Sequence, residues 1–483
     1  MERMWEPPGP GPWELESTHF QRPVCPTMRA AFASGLVRGF SEGTARYGLL
    51  LDHLAPGFVN DFLYMQPVPF GAPSGPAKPP PKAVLWLLLR LHPKLSARTR
   101  TAERAFADRL WRRDLAEWDE VDKPAAIAKH RAIQSIDVTA LSGTELAKHV
   151  LECGEHVTAM VYQHHKYTVT ALAATGDLLA GATGWTGASA GELLGLLRGT
   201  SAVSNGFAVE ELDLAGKQIA ASDTARDTLS SGSPARTVLA ALRADPDAGE
   251  AVTTYLDTVR YRSVGYDVGD QNAGELPDML VGVLKAAAAG SSAVADDGTT
   301  LAGIRARVPA QHQADFDDRL ADARLVNRLR DERGVYSDGW ATGLARRALL
   351  EAGARLTAQG KLAAADHAAD LAPTECAALL RGRPGPSSEE VAERYAWRTT
   401  KTTADAPASV GAVPSPPPPT SLLPRAARRG ALALDAMLGK PVRGLGAPEH
   451  ADGAARPDRQ LGLLRGHRAS RPRGRRLRTD RAG

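Results

Sequence analysis

The sequence predicts a mainly α-helical protein, and three observations carry that expectation. Apolar residues recur at three- and four-residue spacing far more often than they alternate. Alanine, leucine, arginine and glycine dominate while aromatics make up 5% of the chain, a composition that favours helices over strands. Helix-start signals also stand ahead of the apolar runs, the clearest being Ser142-Gly143-Thr144-Glu145, an S-x-x-E capping box.

The strongest pattern runs from Phe316 to Leu356. Its first half places Leu325 and Leu329 one turn apart beside Leu320 and Val326, with Arg324, Arg328 and Asp331 on another side. Its second half sets Ala341, Ala345, Leu349, Ala352 and Leu356 on one helical face, which must be buried. Between them lies Arg330-Asp331-Glu332-Arg333-Gly334-Val335-Tyr336, where Gly334 can end the first helix and make the stretch a helical hairpin. Two readings of this charged junction stand. One is a solvated face with local ion pairs. The other is an anion-binding wall, since the planar guanidinium fork grips carboxylate and phosphate oxygens and keeps its proton.

Taken in order, residues 1–66 read as an extended opening, held out of the α region by Pro23 and Pro26, and then a helix from Thr27 with Phe32, Leu36 and Phe40 on one face. Residues 67–81 are a Pro/Gly-rich connector. Residues 82–400 form the helical body. Within it Ala83–Leu91, the most apolar run, is about half the length of a membrane span and is expected as a buried helix. A further helix covers Ala102–Trp118. The capping box then opens a long helix whose face is Leu146, Val150, Cys153, Val157, Met160 and His164. His149, Glu152 and His156 share helical spacing but lack a fourth ligand and match no zincin motif, so no metal site is expected there. Ala180–Thr200 reads as a tryptophan in a glycine-rich turn before a short helix; without a Walker lysine or a preceding strand it is not a phosphate loop. Tyr255–Lys285 delivers Arg260 and Arg262 to a loop holding Asp267, Asp270 and Glu275, and Pro277 starts the next helix. Helices follow at Pro373 and Ser387. Residues 401–446 are expected as a Pro-rich linker and residues 447–483 as a disordered Arg-rich tail.

Charge is unevenly distributed. The chain carries +4, but residues 447–483 hold ten arginines against Glu449, Asp452, Asp458 and Asp480, a net +6 that leaves the body at −2. The body is therefore not a nucleic-acid-seeking surface. The three cysteines are too few and too scattered for a disulfide framework or a zinc knuckle. The N-terminus lacks a secretory pattern, and a reducing cytoplasm and no membrane partner are expected.

Several motifs together resemble a known family. The segment Trp13 to His19-Phe20-x-Arg22-Pro23-x-x-Pro26, then Arg46-Tyr47-Gly48 and Val59-Asn60-x-Phe62-x-Tyr64, looks like the region after the nucleotide-binding domain of phosphoenolpyruvate-utilising enzymes, in the branch similar to phosphoenolpyruvate synthase and rifampicin phosphotransferase. Trp185-Thr186-Gly187 with Leu197-Arg198-Gly199, the set Arg262, Tyr266-Asp267, Glu275 and Pro277, the Arg330-to-Arg333 junction and Leu371-x-Pro373-Thr374-Glu375 continue it. Leu438-Gly439-Lys440-Pro441-Val442-x-Gly444 resembles the entry of that family's swivelling domain.

The resemblance implies the acceptor-binding part of a phosphotransferase. In such enzymes an ATP-grasp domain charges a histidine and a swivelling domain carries it. Neither pattern is present in these residues, so the chain is expected to be inactive alone, to bind no cofactor by itself, and to need ATP-grasp and phosphohistidine-domain partners that bring Mg with ATP or phosphoenolpyruvate. The expected acceptor contacts are His19, Arg22, His164, His165, Arg262, Asp267, Glu275, Arg330, Arg333 and Tyr336. The alternative is a non-catalytic helical ligand-binding or scaffold protein.

The tail generates a first prediction. Deleting residues 447–483 is expected to leave the thermal midpoint of the body within about a degree, because a segment without periodic apolar residues cannot offset the entropy of ordering it. The full chain is expected to bind nucleic acid weakly, with no sequence preference and an affinity that falls steeply with salt; filter binding at two salt concentrations, with and without the tail, checks both.

Overall fold

The computed structural model describes residues 3–71, 81–198, 208–290, 299–413 and 423–437. The expected mainly α architecture is what it shows, with one small sheet. The tail from 447 and parts of the two expected linkers lie outside the described residues.

The Gly143–Lys166 helix is the centre of the molecule. Its capping box forms as expected: Glu145 N–H donates to Ser142 Oγ at 3.3 Å and Ser142 N–H to Glu145 Oε2 at 2.8 Å, satisfying donors that a helix start leaves open. Leu146, Val150, Cys153, Val157 and Met160 are buried against Met28 and Leu36 on one side and Leu344, Leu349 and Leu356 on the other. Each such side chain contributes roughly 1.5–3 kcal/mol by leaving water. Gly39, in the Val37–Arg46 helix, lies directly on the Tyr162 carbonyl, leaving no room for a Cβ.

Three further cores complete the body, the smallest being Trp13, Val59, Phe62, Tyr64 and Val410 at the sheet; the other two lie among the helices. Tyr47, Trp111, Trp118, Tyr167, Phe316 and Leu320 form one. The helices from Val209–Ala221 to Pro277–Ala288 enclose the other around Ile219, Leu242, Val252 and Leu284.

Phe316–Leu356 is not a hairpin. The helices Gln313–Asn327 and Leu329–Arg333 pass through a π-helical turn, Gly334–Asp338, into Gly339–Ala358. Gly334 keeps a helical φ of −73° and propagates the chain instead of ending it. The buried face of the second half is as expected, with Ala341, Ala345, Leu349, Ala352 and Leu356 all in the core. In the first half Leu329 is buried but Leu325 faces water.

Other departures have local causes. Ala83–Leu91 is helical within Lys82–Leu91 but exposes Val84, Trp86, Leu87, Leu88 and Leu91, burying Leu89. The 102–118 helix is split, because Arg109 adopts φ +49° between Pro93–Ala107 and Leu110–Glu117. The expected glycine-rich turn at 180–187 is the end of the Thr170–Thr186 helix, which stops only at Gly187 (φ +64°).

The sheet was not foreseen. Leu51–Val59 and Phe62–Pro69 form a hairpin whose two turn residues, Asn60 and Asp61, both have positive φ (50° and 70°), the backbone that a two-residue I′ turn requires. Pro12–Leu15 pairs with the second of these strands and, on its other side, with Ser409–Gly411. Residues 401–413 are therefore structured where a linker was expected. Beyond the described gap, the Arg425–Met437 helix packs on Thr170–Thr186, with Arg429 Nε 3.1 Å from Asp177 Oδ1.

The loop after Gly249–Val259 lies along Gly339–Ala358 through Ser263 N–H to the Gly339 carbonyl (3.2 Å), Asn272 Nδ2 to the Gly343 carbonyl (3.0 Å) and the Arg346–Glu275 pair (2.7 Å). A Cβ at position 343 would collide with the Tyr261 carbonyl oxygen. Gly343→Val is thus expected to destabilise by about 1–3 kcal/mol or more, as overpacking does, read as a lowered urea midpoint.

Candidate functional site

The central helix ends in His164-His165, and the π turn brings Asp338 to it. His164 Nδ1 lies 2.9 Å from Asp338 Oδ1, a pair separated by 174 residues, each side chain about 15% exposed. A carboxylate can only accept, so Nδ1 carries the proton in this bond and the neutral ring keeps Nε2 bare. His165 lies beside it, ring centroids 4.7 Å apart and tilted by 39°, with Phe32 at 6.0 Å and Thr168 Oγ1 3.4 Å from its Nδ1. Arg333, from the turn before Gly334, donates through Nη1 to Thr168 Oγ1 at 2.7 Å and to the His164 carbonyl at 3.4 Å. Its Nε is buried and has no partner among the described residues, a state that native proteins rarely leave unexplained.

His19 and Tyr266 stand at the same place, their rings edge to face at 4.8 Å. His19 Nδ1 is 3.0 Å from Glu16 Oε1. Phe20 links Tyr266 to Phe32, at 6.3 Å and 5.3 Å. The result is a half-buried group of six side chains, His19, His164, His165, Arg333, Tyr266 and Asp338, with the Glu16 carboxylate behind His19 and an aromatic wall beneath.

Electrostatics follow from burial. Desolvation lowers His164 against the opposing pull of Asp338, with Arg333 and His19 adding to the lowering. His165 is held well below the ordinary imidazole value, first by desolvation and then by His164, Arg333 and His19. Both rings are neutral at pH 7. Desolvation also brings Arg333 down to about 10, with Asp338 opposing and Arg330 assisting. Tyr266 is raised, by burial and then by Asp338. The arrangement can accept a proton at His164 Nε2 and neutralise an anion at Arg333.

Of the ten residues expected to contact an acceptor, the structure gathers His19, His164, His165 and Arg333. Arg330 is partly buried, adds to the positive potential at Arg333, and has no ion pair among the described residues. Arg22 is exposed. The other four are turned to packing. Arg262 is buried on the Trp340 ring at 3.7 Å and donates to the Thr258 and Val335 carbonyls. Tyr336 lies under Lys123 Nζ at 4.4 Å and gives its carbonyl to His130. Asp267 accepts from Cys25 N–H at 2.8 Å, burial pushing it up to about 6. Glu275 caps Asn272 N–H at 3.0 Å and grips Arg346. The charged junction divides likewise: Arg328 is paired with Glu332 and Asp119 and Arg324 donates to the Leu196 carbonyl, while Arg330 and Arg333 meet no carboxylate among the described residues.

Asp338 and Tyr266 complete the group and were not among the expected contacts. Nothing local could mark Asp338, since its partner lies on another helix. Tyr266 belongs to the Tyr266-Asp267 motif, of which only the aspartate was chosen.

His149, Glu152 and His156 do not converge. His149 lies 3.6 Å from Cys153 Sγ, His156 faces His130, and Glu152 is with Lys148 at the surface. Among the described residues no group of three or more His, Cys, Asp or Glu could hold a metal ion, and no helix is long and apolar enough to cross a membrane. A recess of about 280 Å³ lies elsewhere, between Leu229, Val238, Asp278 and Lys285. No protein-family model matches the chain, and no curated protein matches it significantly.

Burial of the histidines inside the body generates a pH prediction. Desolvation lowers His156 to about 4 and His130 to about 3, the latter helped by His156. Unfolded histidine takes up its proton near 6.5, so between that value and about 4 the unfolded chain binds more protons than the folded one. The pair's contribution is complete above about pH 6.5 and is lost as pH falls through 4. Urea midpoints are expected to drop from pH 7 to pH 5, and less steeply in a His130→Leu/His156→Leu variant.

Proposed function

We propose that this chain is the acceptor-binding region of a phosphoenolpyruvate-synthase-like phosphotransferase. The observation that carries this reading is the convergence of an Asp338-oriented His164 with the guanidinium of Arg333, whose buried Nε has no partner among the described residues. Phosphoryl transfer to a hydroxyl needs a group to take the hydroxyl proton and a cation to meet the charge on the transferred oxygens. His164 Nε2 serves as the first and Arg333 as the second. The aromatic wall of Phe20, Phe32 and Tyr266 holds the body of the acceptor. The phosphoryl group itself would arrive on a carrier histidine outside these residues, with Mg and ATP or phosphoenolpyruvate acting there.

The second reading, a non-catalytic helical binding or scaffold protein, draws on the packing roles of Arg262, Asp267, Glu275 and Tyr336. Ligand specificity separates the two. In a thermal-shift screen of phosphate monoesters and hydroxyl compounds, a hit at about 100 times its Kd is expected to add about 2.7 kcal/mol of stability. That gain is expected to vanish in Arg333→Met and His164→Ala and to survive in the exposed-site control Arg104→Met. Equal gains in all three, or stable label from ATP or phosphoenolpyruvate on the isolated chain's own histidines, would sink the proposal.

A further inference from the structure

Two buried histidines that touch none of the six groups of the site nonetheless connect to it. His130 comes from the Lys123–Gln134 helix and His156 from the middle of the central helix; both are buried. His156 Nε2 is 2.9 Å from His130 Nδ1, and His130 Nε2 is 3.0 Å from the Tyr336 carbonyl oxygen. A carbonyl cannot donate. His130 therefore carries its proton on Nε2, its Nδ1 is bare, and His156 Nε2–H must be the donor between the rings. One backbone oxygen thus assigns the tautomers of both. The His130 ring also stacks on Trp340, centroids 4.8 Å apart at 22°.

What they hold is the π turn. A π turn inserts a residue and shifts the local hydrogen bonds from i→i+4 to i→i+5, and here buried side chains bind its carbonyls as well. In Gly334–Asp338 the Val335 carbonyl accepts from Arg262 and the next, Tyr336, from His130. Two residues on, the same turn presents Asp338 to His164.

We propose that His130, backed by His156, is a positioning residue of the candidate site: its bond to the Tyr336 carbonyl sets the π turn and with it the Asp338 carboxylate that orients His164. Its importance for the reaction rests on the reading of His164 as the base that faces the acceptor. The positioning itself is a property of the ligand-free protein.

The test is ring ¹⁵N NMR of the full chain labelled at histidine, with His164 assigned by loss of its signals in His164→Gln. The wild-type ring is expected in the Nδ1–H tautomer, which free imidazole side chains disfavour and which Asp338 imposes. In His130→Leu the His164 signals are expected to move toward the tautomer mixture of a free side chain. His130→Gln, whose amide N–H can reach the same carbonyl, is expected to restore them. If His130→Leu does not fold, His156→Leu decides: without the His156 donor, the His130 proton is free to shift to Nδ1 and release Tyr336, so the His164 signals are again expected to drift. An unchanged Nδ1–H signature in His130→Leu, or in His156→Leu where the first variant is unfolded, overturns the proposal. Should the signatures shift as expected while His164→Ala leaves ligand stabilisation intact, the acceptor reading fails and the positioning role stands.

Discussion

The elements of the first core are placed by the need to bury the Gly143–Lys166 helix. Its apolar residues are covered from several directions, so its neighbours must come close, and they do so through small residues: Gly35 and Gly39 lie on its Thr158 and Tyr162 carbonyls, and Gly154 of the helix itself meets the Pro373 ring. Tight packing of this kind transmits displacement, because interiors as dense as crystals have no slack to absorb it. The C-terminal end of the same helix carries His164 and His165. Fold and candidate site therefore share one rigid support.

The many arginines of the body act inside it. Arg347 donates to the Ile133 and Gln134 carbonyls and Arg355 to those of Val138, Thr139 and Leu141, so two long side chains close the backbone left open between helices. Arg398 grips the buried Asp370 through two hydrogen bonds. Asp114 accepts from Arg46 Nε, the Tyr47 hydroxyl and the Thr170 hydroxyl, at 2.9, 2.8 and 2.9 Å. Removing one partner from such a group would strand a desolvated charge, which costs more than the pair contributes. Arg333 belongs to the same set: it donates to the Thr168 hydroxyl and the His164 carbonyl, and its Nε, like that of Arg347, is buried with no partner among the described residues.

The π turn joins the two themes. It occurs where the sequence has a glycine inside a charged run, and a local reading sees a helix end. Tertiary contacts supply what the local sequence lacks: the His130 imidazole and the Arg262 guanidinium hold its carbonyls, and the central helix packs on it. An irregular backbone that costs energy locally is retained where its surroundings over-determine it, and here it is the segment that carries Asp338.

Sequence alone determined whatever depends on neighbours along the chain. Helical class, the Ser142–Glu145 box, the buried stripe from Ala341 to Leu356, and the helix starts at Pro277, Pro373 and Ser387 are all legible because propensity, capping and periodicity act over a few residues. The Asn60-Asp61 turn was legible too, in principle, as a pair tolerant of positive φ between two β-prone runs. Tertiary structure decided the rest. Whether Ala83–Leu91 is covered, whether Gly334 ends or continues a helix, and whether Arg262 faces a ligand or Trp340 depend on what the remainder of the chain places opposite them. The pairing of His164 with Asp338 is of this kind: two polar residues 174 positions apart carry no mutual signal until the packing of apolar faces brings their helices together.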